Sequence, residues 1–290
     1  MVELLAQSFA NGITIGALYG LAAIGLSLIF GVMRILNIAH GEFLMLGGYA
    51  AFWMFTLTNI DPFLGLPLVA ISLFLLGAGV YKVVFSGIAR LQGELRLNSS
   101  LLIAFGLFLI FPQIATMLWT GDERAITPVY SGTAFEVLGI RVGYVPLAGL
   151  VVAVVVTFGL QLFLNKTYFG KSVRGTAENW KAARLMGINV DRTYLLTFAL
   201  GAALAGVAGI LVGLTQWLAP FVGMHWTLKA LVVIVLAGMG SIGGTLVAGI
   251  IIGVAEAVSH IFIGPYAIVV PLVIFLLILM FRPQGLFGKA

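Results

Sequence analysis

The sequence predicts an all-α, polytopic bundle of the cytoplasmic (inner) membrane, with eight or nine transmembrane spans and a further helix on the cytoplasmic side. Three observations carry that reading. Of the 290 residues, 61% are hydrophobic and only 9% are charged, far too little polar surface for a soluble domain of this size. Apolar runs recur at about 20 residues, the length a helix needs to cross hydrocarbon. Six of the fifteen Lys and Arg residues crowd between Asn165 and Arg192, leaving the rest of the chain mostly apolar.

Hydrophobicity and its breaks place spans at roughly 8–31, 41–59, 65–85, 98–119, 143–164, 194–218, 225–239, 243–262 and 265–281. The 225–239 run is the shortest and also reads as a re-entrant half-helix, which makes eight spans the alternative. Charge orients the rest, because loops rich in Lys and Arg stay on the cytoplasmic side. The 82–97 connection holds Lys82, Arg90 and Arg96 against Glu94, and 165–192 holds six bases against Glu178 and Asp191. The 120–142 connection instead holds Asp122, Glu123 and Glu136 against Arg124 and Arg141. Alternation then puts the N-terminus and Asp61 outside, and Arg34, Arg282 and Lys289 inside. The whole chain, 1–290, reads as one membrane domain.

Within the outer connection, β-branched and aromatic residues around glycines in TPVYSGTAFEVLGIRVGYVP predict a small hairpin. Pro112 and Pro271 fall inside spans and are expected to kink them. Small residues repeat at four-residue spacing: Gly12, Gly16 and Gly20; Gly201, Ala205, Gly209 and Gly213; Gly249 and Gly253. Such rows let helix backbones approach closely, as seams within the bundle or as a face toward a second chain. Trp217 and Trp226 fit an interfacial aromatic belt.

Several motifs imitate chemistry. Gly238-Met-Gly-Ser-Ile-Gly243 matches a dinucleotide fingerprint, but both flanks are membrane helices, so it reads as a tight turn. Phe169-Gly-Lys-Ser172 ends like a phosphate-binding loop, yet Asn165 stands where the first glycine belongs. His40, His225 and His260 lack metal-site spacing, no G-x-S-x-G serine is present, and there are no cysteines. No catalytic residue, metal or bound cofactor is expected, and the net charge of +5 is explained by cytoplasmic loops rather than by nucleic acid.

Polar groups within apolar stretches each need a reason, since a charge costs about 2.5–3.5 kcal/mol on insertion scales. The densest group is Arg34-Ile-Leu-Asn37-Ile-Ala-His40-Gly41-Glu42. Asn37 and Gly41 mark a helix end and restart, with Glu42 in the new first turn where the helix dipole favours it. The segment is either a plain cytoplasmic turn or a broken helix whose polar ends line a route, with Asn37, His40 and Glu42 as path candidates. Glu256 and His260, four apart, are expected to pair, and Lys229 to snorkel to the outer boundary.

In the basic island, Ala177–Met186 has helix-forming composition, with Thr176 as cap, Glu178 in the first turn, Arg184 near the end and Gly187 as the stop. Ala177, Trp180, Ala183, Arg184 and Met186 give it a partly apolar face, suited to lipid or to a groove on another protein.

The segment Asn37-Ile-Ala-His-Gly-Glu42, followed by LMLGGYAAF, closely resembles the opening of branched-chain amino acid ABC importer permeases of the H type. SVRGTAENWKAARLMGINVDRTYLLTFALGAALAGVAGIL resembles their cytoplasmic coupling loop and next span, GMGSIGGTLVAGIIIG their late glycine-rich segment, and FRPQGLFG their tail. The resemblance runs through essentially the whole chain. It implies an importer with two permease subunits (this chain and a different one), two cytoplasmic ATPases carrying ATP and Mg, and an external solute-binding protein. Arg174, Gly175, Thr176, Ala177, Glu178, Asn179, Trp180, Ala183, Arg184, Met186 and Gly187 match the loop that docks on an ATPase. Permeases for urea and short amides are similar through the same segments; an ion-coupled carrier or channel without an ATPase is the reading from another class.

Overall fold

The computed structural model describes residues 1–91, 93–137, 139–282 and 284–288, without the side chains of Arg90 and Val137. Of the residues read above, Pro283, Lys289 and the Arg90 side chain lie outside that set. In chain order the elements are α1 (Val2–Met33), α2 (His40–Thr58), α3 (Leu66–Val80, continued by a π turn over Tyr81–Phe85) and α4 (Gly93–Trp119). A hairpin follows, β1 (Ala134–Val137) and β2 (Ile140–Gly143), then α5 (Tyr144–Lys166), α6 (Tyr168–Leu185) and α7 (Val190–Thr215). The chain closes with α8 (Val222–Ala237), α9 (Ile242–Ile263), a 3-10 stretch (Gly264–Val269) and α10 (Val270–Phe281).

Among the described residues, six helical stretches are long and apolar enough to cross a membrane, and α8, with 16 residues, is a shorter apolar helix. α1 and α7 are buried over most of their length, whereas most of α4 and α5 is not buried. Lipid-facing helices are apolar all round, so hydrophobicity cannot sort their faces; side-chain size does that instead. A Cβ added to Gly16 would sit 2.6 Å from the Ile250 Cα, and one on Gly253 would sit 2.4 Å from the Gly16 Cα. The glycine rows of α1 and α9 thus form one antiparallel seam, and the Gly201 row seats α7 against α1 and α2. All three rows pack within the bundle.

The connections sort to two ends. At one end the hairpin is held to α1 by Gln7, whose side chain accepts from Arg141 N at 2.8 Å and donates to Arg141 O at 2.7 Å. Tyr130 there donates its hydroxyl to Asp61 Oδ2 at 2.6 Å; burial and that carboxylate push the phenol's pKa above its ordinary value. At the other end lie the α1 C-terminus, α6 and the tail. Leu286 and Phe287 donate their N–H groups to Leu236 and Ala237 at 2.7 and 2.9 Å, satisfying carbonyls that the end of α8 leaves unpaired. Gly238, at φ 90°, begins the tight turn into α9.

The hairpin forms as expected, with Gly139 at φ 79° in its turn and Glu136 opposite Arg141. Pro112 lies inside α4. Pro271 corrects the reading: it opens α10 in the first turn, where a missing N–H costs nothing, and the break falls earlier, in the 3-10 stretch.

Candidate functional site

The segment after α1 does not run across the surface. α1 ends at Met33, Arg34 closes it in a left-handed conformation with φ 54°, and the chain then turns back into the bundle. His40 Nε2 lies 3.0 Å from Ala22 O, eleven residues before the end of α1, or about 16 Å along its axis. α2 therefore starts deep inside the bundle, with Asn37, His40 and Glu42 all fully buried.

Two helix beginnings meet there. The Gly41 N–H donates to Thr227 Oγ1 at 2.9 Å, and that hydroxyl donates to Ile38 O at 3.0 Å. Only glycine fits at position 41, since a Cβ would lie 1.9 Å from Gly223 O. Gly223, in the first turn of α8, faces Glu42: a Cβ on it would come within 2.4 Å of Glu42 Oε1. The Glu42 carboxyl thus sits in the first turn of its own helix and against the first turn of a second, and both dipoles favour negative charge. Asn37 Nδ2 and Oδ1, His40 Nδ1 and both Glu42 oxygens have no hydrogen-bond partner among the described residues. The three path candidates are all buried, and each keeps at least one polar atom without a partner among the described residues, free to bond a small polar solute that reaches it.

Beside this cluster the structure corrects three expectations. Glu256 pairs with Lys229 of α8, not with His260, which is exposed. Lys229 does not snorkel; it is 5% exposed, with Nζ 2.5 Å from Glu256 Oε2 and 4.8 Å from the centroid of the Tyr19 ring. Trp226 is no belt residue: it is buried edge-on against Tyr19 at 5.6 Å, while Trp217 is exposed as expected. Opposite charges in apolar surroundings neutralise each other wherever the fold permits, and the i,i+4 rule looks only along one helix.

α6 also departs from the expected form. It begins at Tyr168, with Thr167 as its cap (Gly170 N to Thr167 Oγ1, 3.1 Å). It breaks at Asn179, where φ −151° and ψ 96° are extended. Asn179 Oδ1 accepts from the N–H groups of Lys181 and Ala182 at 3.1 Å each, so Asn179, not Thr176, caps the second piece. Thr176 is buried in the first piece. Gly187, at φ 82°, stops the helix as expected. Trp180 turns toward the bundle, where the Arg96 guanidinium lies 5.9 Å from its ring and from that of Tyr194. Arg96 Nη1 also donates to Met33 O at 3.2 Å, tying α6 to the end of α1. Ala183 is buried, Ala177 half-buried, and Gly175 lies near Ile188. Arg174 donates to Leu164 O at the end of α5. Glu178 and Arg184 are exposed, with Arg184 3.8 Å from Asp191. Leu185 and Met186 project outward at 89% and 83% exposure, so the single face expected of Ala177, Trp180, Ala183, Arg184 and Met186 is divided: Trp180 and Ala183 turn inward, Arg184 and Met186 outward beside Leu185, because the break at Asn179 resets the helical phase.

Comparison with known proteins identifies the family. The family described as the branched-chain amino acid transport system permease component matches residues 8–280. The chain is 36% identical to the high-affinity branched-chain amino acid transport system permease protein BraD of Pseudomonas aeruginosa, over 98% of this chain and 95% of that one. It is 33% identical to LivH of Escherichia coli K12, with the same coverage. A more distant relative, the ribose import permease protein RbsC of Haemophilus influenzae, is 27% identical over 87% of this chain and 75% of its own. No solved structure matches. A bundle of membrane-spanning helices matched over nearly its full length in this way belongs to the family of branched-chain amino acid transport permease components.

Proposed function

We propose that this chain is a transmembrane subunit of an ATP-driven importer carrying branched-chain amino acids inward across the cytoplasmic membrane. The relationship to BraD and LivH over 98% of the chain carries the reading. A second, different permease chain, two ATPases and an external solute-binding protein complete the assembly. ATP and Mg are handled by the ATPases. The hairpin end faces outside with the N-terminus; the α6 end and the tail face the cytoplasm. This follows from the charge asymmetry of the connections, and a crossing by α8 makes nine spans.

In this reading Leu185 and Met186 seat in a groove on an ATPase, and Trp180 passes movement through Arg96 to Met33. From there the chain runs directly into 34–42. Closure and reopening of the ATPases shift the bundle between two states, exposing Asn37, His40 and Glu42 to one side and then the other. Glu42 meets the ammonium of the solute, Asn37 either end, and backbone amides near Gly41 its carboxylate.

Reconstitution with the partner subunits in proteoliposomes tests the reading. The expected result is ATP-dependent accumulation of L-leucine, dependent on the binding protein. Accumulation of urea in place of leucine overturns the substrate, and uptake driven by an ion gradient without ATP overturns the mechanism.

A further inference from the structure

Three buried hydrogen-bond donors near the hairpin end have no acceptor among the described residues: the Tyr49 hydroxyl, Trp53 Nε1 and Arg124 Nε. Tyr49 is fully buried. Tyr49 and Trp53 stand four apart on α2 and so share a face; Glu42, seven before Tyr49, lies on that same face. Arg124 comes from the connection between α4 and the hairpin. Its guanidinium lies 5.2 Å from the Trp53 ring centroid and 5.3 Å from that of Phe52. Its Nη2 donates to Trp119 O at 2.8 Å, and the Trp119 ring stacks on Tyr49 at 4.5 Å. The backbone of Arg124 is pinned by two bonds with Leu218, at 2.9 and 2.6 Å.

A buried donor left unpaired costs about 1–3 kcal/mol, and here three lie among the rings of Phe52, Trp53, Trp119 and Tyr49. All three donate, so the group that satisfies them must be an acceptor with several lone pairs. A carboxylate fits that requirement, and a guanidinium is its matching partner. Asp122, two residues before Arg124, supplies the opposite sign: it is exposed and accepts from Thr120 Oγ1 at 2.5 Å. The rings of Phe52 and Trp53 beside Arg124, and of Trp119 on Tyr49, give these donors apolar surroundings of the kind an aliphatic side chain takes.

We propose that Tyr49, Trp53 and Arg124 form an arrival site for the carboxylate of a zwitterionic amino acid with an apolar side chain, with Asp122 facing its ammonium. The proposal rests on the reading of this chain as an amino-acid permease. Trp53 is eleven residues from Glu42, about 16 Å along the helix, too far for one amino acid to touch both. The arrival site and the Glu42 cluster are therefore successive positions on one face of α2. The Trp119 carbonyl already holds one arm of Arg124, which keeps the site from becoming a trap.

The test uses the assembled complex in proteoliposomes, with L-leucine and saturating binding protein. Tyr49→Phe deletes one donor and keeps the ring; Trp53→Phe deletes another and also loses the five-membered ring, so its melting temperature carries a packing loss and only its uptake per assembled complex is read. If the donors are only unsatisfied core atoms, deleting the Tyr49 hydroxyl removes a desolvation cost, so the melting temperature of Tyr49→Phe rises or holds, and uptake per assembled complex stays at the wild-type value in both variants. If they hold the solute, the melting temperature behaves the same way but uptake falls roughly tenfold in each, the loss of one hydrogen bond to a charged group. Arg124→Lys, which keeps the charge and loses the fork, is expected to fall further, and Asp122→Asn to fall as well. Wild-type uptake in both ring variants overturns the proposal. Absence of leucine uptake in the wild-type complex instead overturns the substrate reading on which it rests.

Discussion

Lys229 of α8 and Glu256 of α9 form an ion pair at 2.5 Å, with side chains only 6% and 20% exposed, and the ring of Tyr19 in α1 lies 4.8 Å from Lys229 Nζ. The pair joins the short helix α8 to the α1–α9 seam, so the position of α8, and of Gly223 against Glu42, depends on it.

Breaking one side of such a pair leaves an uncompensated buried charge, which costs roughly 3–5 kcal/mol, whereas replacing both by apolar groups is near neutral. Lys229→Met and Glu256→Leu should each lower the melting temperature of the purified protein clearly, and the double variant should recover most of the loss. Additive losses in the double variant would show that the two groups do not interact.

Membrane orientation is tested in the cysteine-free background. Ser131, beside the hairpin, and Lys171, in α6, are both exposed. An impermeant thiol reagent added to intact cells should label Ser131→Cys and leave Lys171→Cys untouched until the cells are opened. The reverse pattern inverts the topology.

The broken helix α6 divides its residues into an inward and an outward set, and the two should fail differently. Leu185→Asp with Met186→Asp changes only exposed side chains, so the bundle should melt as wild type while the ATPases no longer co-purify. Trp180→Ala removes the ring against Arg96 and leaves the outer face intact. It should keep the ATPases bound, lower the melting temperature and reduce uptake per ATP hydrolysed. Equal behaviour of the two variants would remove the distinction.

The spans were readable because lipid requires about 20 apolar residues per crossing, and glycine rows survive in the sequence as direct records of helix contact. Three features were not readable, each for a physical reason. The partner of Glu256 sits on another helix, 27 residues away. The break in α6 is written by Asn179, whose side chain outcompetes Thr176 for the capping role only once the first piece packs and buries Thr176. The depth of 34–42 depends on Gly41 meeting Gly223, a contact between two helix starts that no local pattern encodes. Tyr49 and Trp53 were overlooked because aromatic residues in an apolar helix look like packing until their polar atoms are found without acceptors.

Glu42 distinguishes a structural cluster from a transport route. Its carboxyl is sealed from solvent, lies against the first turn of α8 and makes no hydrogen bond among the described residues. If its role were to hold α2 to α8, Glu42→Gln would keep the shape, remove the charge and change only stability, since an amide fills the same space. If the carboxylate meets the ammonium of a passing solute, the amide removes a charge-assisted bond worth about 1.5–3 kcal/mol, and uptake per assembled complex should fall at least tenfold with the ATPases still bound. Asn37→Ala should fall less, because a neutral group is lost. Gly41→Ala is the structural control: its Cβ would meet Gly223 O at 1.9 Å, so it should lower the melting temperature and the yield of assembled complex first. Wild-type uptake in Glu42→Gln and Asn37→Ala, beside a failing Gly41→Ala, would make this cluster a packing joint and move the route elsewhere.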